Sequence, residues 1–372
     1  MTERAAATIA AGTRADAVPD GSQGEISADE SSPAPANRRA RRLRWTFGAL
    51  LGLAISAGSI YIATRKVSLH EISTSLANAH YVWLIPSIAL TYVALWLRGV
   101  RWQALFLHRD NVSQGACFHS VSIGLMFNNI LPSRAGEVVR VLAVRRATGV
   151  SAVEAGMTIV VERLLDVFIL AIGGVILWPL LPDRTWINVL GLVCSGVIVG
   201  FIALVIALTV FRQKLPQLLI RLLVRLPFIS DRRAQSVREA IGLGTGIMLR
   251  PVRLAEACGL TALIWALVGL SSWVLFPAFS LHTSGLAPWL LLIANSFAMT
   301  VPSSPGTVGV YEASVQAALT AFGVSKGHAL SYALVLHAVN FFPIILTGLI
   351  STAVIGMNVL HPGARGATPV HE

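Results

Sequence analysis

The sequence predicts an all-α polytopic membrane protein: a helical bundle of about six full spans plus two re-entrant hairpins, arranged as inverted repeats. Three observations carry this expectation. The 372 residues are 55% hydrophobic and 13% charged, with a mean hydropathy of +0.69, whereas soluble domains carry about 25% charged residues. Lys and Arg are gathered in a few connections rather than spread evenly. Finally, one six-residue pattern occurs twice, at 131–136 (LPSRAG) and 301–306 (VPSSPG), with Phe127 and Phe297 at the same offset upstream. Pro and Gly interrupt apolar segments there. Broken backbone at membrane depth is tolerated only where protein or a water-filled cavity satisfies its freed amides and carbonyls. Two such breaks at corresponding places point to a transport site. The pattern is short, so chance is the reading that topology must exclude.

Residues 1–37 are rich in Ala, Ser, Pro, Gly and acids and lack an apolar period, which predicts a disordered cytoplasmic tail. Arg4 and Arg14 face six acids there, so the tail is negative and the rest of the chain exceeds the overall +11. Arg38, Arg39, Arg41, Arg42 and Arg44 precede the apolar run 45–63, an anchor with its N-terminus inside. A cleaved signal peptide fits less well, because the polar stretch ahead of the run is too long.

The membrane domain is expected over 38–360, followed by a cytoplasmic tail at 361–372. Spans of about 20 residues can cross; the candidates are 45–63, 81–98, 152–180, 186–211, 254–279 and 329–357. The connection 212–253 holds nine Lys and Arg against Asp231 and Glu239, so it belongs inside. Its stretch 215–226 is basic and amphipathic and is expected on the inner leaflet. Arg98, Arg101 and Arg109 likewise put the end of the second span inside, and the short connections 181–185 and 280–286, poor in basic residues, belong outside.

If 113–131 crossed fully, Arg134, Arg140, Arg145 and Arg146 would lie outside, against the bias. A hairpin entering from the cytoplasm and turning at 132–136 resolves this, and 287–322 becomes a hairpin entering from outside. The alternative is a pair of short full crossings in each place. With hairpins, the first repeat (81–180) and the second (254–357) have the same order and opposite orientation. Both termini fall in the cytoplasm of a bacterial-type plasma membrane.

Charges inside such a bundle mark candidate sites. Glu162 and Asp166 share a helical face, and Arg163 can pair with Asp166; a structural ion pair knitting the bundle is the alternative. Arg134, Glu137 and Arg140 follow the first break at three-residue spacing. They form either the polar stripe of an interfacial helix or the floor of a cavity in which Arg134 or Arg140 holds a phosphate and Glu137 balances it, since the planar guanidinium donates two bonds at once. Glu312 follows Gly306 and Gly309 in a stretch without other charge up to Lys326, so it should meet a cation or exchange a proton. Arg134 or Arg163 is the natural partner. His337, near Asn340, reads as a hydrogen-bonded core residue rather than a relay.

Cys117, Cys194 and Cys258 have neither metal nor disulfide spacing. The chain has no P-loop, no H-E-x-x-H, no G-x-S-x-G and no dinucleotide fingerprint. No cofactor, metal or catalytic residue is expected. The pI near 10.5 follows from positive inside loops and implies no nucleic acid.

The segments 129–140 (NILPSRAGEVVR), 162–166 (ERLLD) and 302–312 (PSSPGTVGVYE) resemble the flippase-like transmembrane family, the membrane region of lysylphosphatidylglycerol synthases. The resemblance covers about residues 40–357. It implies a plasma-membrane bundle with re-entrant segments that handles lipids. By motif, the implied cavity residues are Arg134, Gly136, Glu137 and Arg140; Glu162, Arg163 and Asp166; and Pro302, Pro305, Gly306, Gly309 and Glu312. No soluble aminoacyltransferase domain follows the membrane part, so lysyl transfer is not expected. Thr307 stands where members of the family often carry a second Gly.

Two functions are therefore expected. One is a flippase or scramblase for an anionic phospholipid or a polyprenyl-phosphate-linked lipid, coupled to protons through Glu137, Asp166 or Glu312, or uncoupled. The other is a non-transporting membrane subunit or enzyme of envelope lipid or glycan synthesis, with a synthase or glycosyltransferase as partner.

Overall fold

The computed structural model describes residues 35–65, 67–107, 109–131, 135–211, 239–240, 242–244, 246–301 and 303–360. Every regular element among them is helical. The helices are α1 (Pro35–Thr64), α2 (Leu69–Ala77), α3 (Leu84–Leu105), α4 (Gln114–Ile130), α5 (Gly136–Thr148), α6 (Ala152–Leu177), α7 (Thr185–Val210), α8 (Pro251–Val274), α9 (Ala287–Ala298), α10 (Val310–Ala321) and α11 (Lys326–Leu360). Residues 1–45 and 46–372 form separate units by contact; all that follows concerns the second.

Local chemistry sets most boundaries. Ser113 and Ser151 cap α4 and α6 by accepting from Ala116 N (3.2 Å) and Val153 N (3.2 Å). Helix α5 carries Glu137 in its first turn and Arg145 and Arg146 in its last, matching the helix dipole, and stops at Gly149 with φ 76°. Pro251 and Pro288 sit in the first turns of α8 and α9, where a missing N–H costs nothing.

Among the described residues, four segments are long and apolar enough to cross a membrane: Tyr81–Leu105, Thr185–Ala207, Pro251–Phe279 and Lys326–Gly356. A fifth arises only if Leu50–Thr64 and Leu69–Ala77, bent by 82°, count as one span. Helix α6 has 26 residues, enough for a crossing, but carries Glu154, Glu162, Arg163 and Asp166. Among the described residues four or five segments therefore meet the length and apolarity of a crossing, where about six spans were expected. The second expected span, placed at 81–98, also runs on to Leu105. It continues past Arg98 because Arg101 finds carboxylate partners inside the bundle.

The two expected hairpins take the form helix–break–helix. Helices α4 and α5 pack on each other, as do α9 and α10. All four fall short of the roughly 20 residues of a full crossing. Phe127 and Phe297 both lie in the last turn before a break, with different bonding. Phe127 O accepts Leu131 N at 2.8 Å, and Phe297 O accepts Thr300 N at 3.0 Å, each closing the last turn before its break.

Exchanging the set α3–α6 with the set α8–α11 largely preserves the packing. Helices α3 and α8 pack against each other, α4 lies along α11 as α9 lies against α6, and α3 touches α11 as α8 touches α6. The α3–α8 pair is antiparallel. Ser87 and Ser271 exchange hydroxyl-to-carbonyl bonds of 3.0 Å toward one end, and Arg101 donates to Thr261 Oγ1 (3.1 Å) toward the other. Each set also has its own core. One includes Leu95, Trp102, Val121, Val144 and Ile159; the other includes Phe276, Leu290, Val315, Leu319 and Tyr332. Cys117 and Cys194 are buried as small hydrophobes and Cys258 is partly buried.

The tails at 1–34 and 361–372 and most of the basic connection, including 215–226, lie outside the described residues. Of that connection, Ile247 is buried against Leu105, Val161, Leu165 and Ala257.

Candidate functional site

Three helices of the first set bring six charged side chains into one network. From α6, Glu162 and Asp166 are 2% and 4% exposed, a burial tolerable for carboxylates only with close partners. Arg101 of α3, fully buried, spans both: its Nη2 lies 3.0 Å from Glu162 Oε1 and its Nη1 2.5 Å from Asp166 Oδ1. Arg140 of α5 binds Glu162 with both terminal nitrogens, at 3.1 and 2.7 Å, the fork geometry that favours arginine over lysine. Its guanidinium carbon sits 3.8 Å from the centroid of Trp102, a cation–π contact. The Trp102 indole is itself fixed by donating to Thr158 Oγ1 at 2.9 Å.

Arg163 approaches from the side of Glu162 and Asp166, at 2.7 and 3.3 Å. Trp265 of α8 donates to Asp166 Oδ1 at 3.1 Å, and the Arg98 guanidinium lies 5.4 Å over the same indole.

Glu137 is the loosely held member. Its oxygens are 3.6 Å from Arg163 and 3.9 Å from Arg140, and its side chain is 26% exposed. Arg163 is the open cation at 38%, whereas Arg101 and Arg140 are closed over. The network thus has a tight interior around Glu162 and a slack edge between Glu137 and Arg163.

Of the charges expected to matter, the structure joins Glu137, Arg140, Glu162, Arg163 and Asp166, and the Arg163–Asp166 pair forms as expected. Arg134 and Pro302 lie outside the described residues. Arg101 was expected only as an inside-facing flank charge. Its signal was present, since Arg101 is one turn beyond Arg98 on a helix that could be prolonged, but only a neighbouring carboxylate makes that prolongation affordable.

Gly136 stands where α5 starts against α4. A Cβ there would fall 2.0 Å from Gly124 O and 2.6 Å from Asn128 N, so the hairpin closes only with glycine.

The second break, 299–309, is built differently. Gly306 and Gly309 take φ of 70° and 90°, and Thr307 takes 56° despite its Cβ. The expected glycine-like geometry is thus present at Thr307 without the glycine. Glu312 closes the start of α10 by accepting Gly309 N at 2.6 Å, and its other oxygen lies 2.6 Å from His337 Nδ1 of α11. The partner of Glu312 is therefore His337, not Arg163, which is committed to the first network. His337 stacks on Tyr311 with centroids 4.3 Å apart, and Asn340 donates to the Tyr311 hydroxyl at 3.2 Å. The core reading of His337 holds in part: it is hydrogen-bonded, but to the one carboxylate of its region. Pro305 is exposed at the turn.

The two breaks are neighbours. The turn Pro305–Thr307 packs against α4, the helix that leads into the first break. A Cβ on Gly306 would lie 3.7 Å from Asn129 O. A groove of about 510 Å³ between α3 and α11 is lined by Leu84, Ile88, Tyr92, Phe342, Pro343 and Leu346 among other apolar residues.

The model of the lysylphosphatidylglycerol synthase TM region matches residues 49–348. A UPF0104 membrane protein of Methanothermobacter thermautotrophicus is 28% identical over 317 residues, which cover 77% of this chain and 92% of that protein. With most of its length matched, the chain belongs to the lysylphosphatidylglycerol synthase transmembrane-region family.

Proposed function

We propose, taking membership of the lysylphosphatidylglycerol synthase transmembrane-region family as premise, that this multi-pass membrane protein moves lipids. The reading is a flippase or scramblase for an anionic phospholipid or a polyprenyl-phosphate-linked lipid, serving envelope assembly from the plasma membrane with both termini in the cytoplasm. The observation that carries it is the meeting of the two breaks, with the second turn lying on the helix that enters the first. Irregular backbone belongs in a membrane where it lines a path.

In this reading α4–α5 and α9–α10 are re-entrant hairpins entering from opposite faces, and the exchangeable packing of the two helix sets reflects inverted repeats. Arg134, Gly136, Glu137 and Arg140, with Glu162, Arg163 and Asp166, receive the phosphate end of the lipid. Pro302, Pro305, Gly306, Gly309 and Glu312 form the facing turn. The apolar groove between α3 and α11 suits a lipid tail.

The test is head-group translocation in proteoliposomes, with a fluorescent anionic phospholipid and with a polyprenyl-phosphate carrier, with and without a pH gradient. Transport by the wild type that is lost in Glu137→Gln, with insertion intact, is the expected result. A need for the gradient would mark driven flipping, and indifference to it scrambling. No movement of either lipid above empty liposomes would overturn transport in favour of a non-transporting subunit or enzyme of envelope synthesis.

A further inference from the structure

We infer that Glu312 and His337 form a one-proton site whose charge state sets the hold on the second turn. The coupling of that proton to lipid movement rests on the lipid-handling reading above; the proton site itself does not.

The pair differs in kind from the network on α3, α5 and α6. There Glu162 and Asp166 are held by guanidinium groups, which keep their protons at any ordinary pH. Glu312 is buried as well but meets an imidazole, its Oε1 2.6 Å from Nδ1 of His337. Imidazole takes up and releases a proton near neutral pH. Among the described residues, no Lys or Arg forms an ion pair with Glu312.

The other groups around the pair carry no charge. Tyr311 of α10 stacks on the imidazole, and Phe341 of α11 meets its edge at 6.0 Å between centroids. The Tyr311 phenol, the one other titratable group, accepts from Asn340. From α9, Asn295 accepts from Ser314 at 2.9 Å. Helix α1 brings Ser56 O beside Gly309, and α4 brings Asn129 O beside Gly306. With one proton shared, the pair is neutral. Without it, a negative charge stays buried with no described cation against it, which is costly at membrane depth. The proton enters at His337 Nε2, which makes no bond among the described residues. The His337 side chain is also the more exposed of the two, at 14% against 8%.

Glu312 ties that proton to the backbone. Its second oxygen accepts Gly309 N at 2.6 Å, where α10 starts. Gly306, Thr307 and Gly309 all take positive φ in this turn, a conformation that persists only where its surroundings hold it. Ser56 Oγ of α1 holds the opposite end by accepting Ser304 N at 2.9 Å. A carboxylate steadies a helix start through its charge, and a proton drawn to either partner lowers the charge that Gly309 N meets. Protonation thus loosens the turn that lies on α4, and proton release tightens it.

The test reads the turn rather than transport. A spin label is attached to Pro305→Cys in the full chain, with the three native cysteines replaced by alanine. Its mobility is recorded in maltoside micelles between about pH 5 and 8, the range in which imidazole changes charge. Mobility is expected to fall through a single one-proton transition as pH rises. Glu312→Gln and His337→Gln are each expected to abolish that transition. A flat profile with Glu312 and His337 both in place overturns the proton site without calling on any variant to fold. A transition that survives in either variant overturns it too. In proteoliposomes, a pH gradient is expected to speed movement of the fluorescent phospholipid by the wild type and not by His337→Gln. A gradient response absent from the wild type, or retained in His337→Gln, overturns the coupling. No lipid movement at all, with the pH transition intact, would remove the transport proposal and leave the proton site standing.

Discussion

The two hairpins solve one backbone problem with different chemistry. In the first, the break spans only the residues between α4 and α5, and the helix that follows presents Glu137 and Arg140 to a network on α3 and α6. In the second, the break is longer, and its only nearby carboxylate, Glu312, turns back to close the helix start and meets a histidine. Arginine density on one side and a single Glu–His pair on the other show that related architecture does not impose related electrostatics. Helix packing sets where the breaks lie; side chains set what each can bind.

The comparison breaks most sharply at Arg101. Arg101→Ala leaves Glu162 and Asp166 short of a buried cation and is expected to cost about 3–5 kcal/mol, read as denaturant or thermal unfolding in detergent. A loss below 1 kcal/mol would mean that the first hairpin does not depend on this network. Next is Gly136→Ala, whose Cβ meets backbone of α4 on two sides; about 1–3 kcal/mol is expected from overpacking, with α5 displaced.

Glu312→Gln, the matching change in the second hairpin, keeps the shape but weakens two charge-assisted bonds, for about 1–2 kcal/mol. A cost equal to that of Arg101→Ala would erase the proposed asymmetry. Smallest is Thr307→Gly. It relieves a β-branched residue at φ 56° at the price of chain entropy and should stabilise by about 0.5 kcal/mol. Any destabilisation would show that Thr307 does something besides occupy the turn. Topology sharpens the comparison further: single cysteines at positions 134 and 305 should react from the inside and the outside respectively. The reverse, or one-sided access, would sink the opposed hairpins.

Much of the fold was legible because membrane burial writes itself into composition. The span at 329–357 falls within α11, those at 81–98, 186–211 and 254–279 lie on α3, α7 and α8 and run past an end by a residue or a 3₁₀ turn, and Gly136, Pro305 and Gly306 stand between helices or at a helix start as the repeated pattern implied. Glu162, Arg163 and Asp166 announced themselves as charges in an apolar helix, and their spacing correctly predicted the Arg163–Asp166 pair. Span limits were less legible where a charge is neutralised from afar. Arg101 looked like a flank residue, because a local window cannot see the carboxylates of α6.

What the sequence alone determined is the class of molecule, the helical segments, the two breaks and the charges that need partners, since each follows from local hydropathy and backbone chemistry. Only the tertiary structure decided the pairing: Arg101 with Glu162 and Asp166, His337 rather than Arg163 with Glu312, and the second break against α4. Those choices depend on contacts tens to hundreds of residues apart, where a guanidinium or imidazole serves whichever carboxylate helix packing brings within about 3 Å.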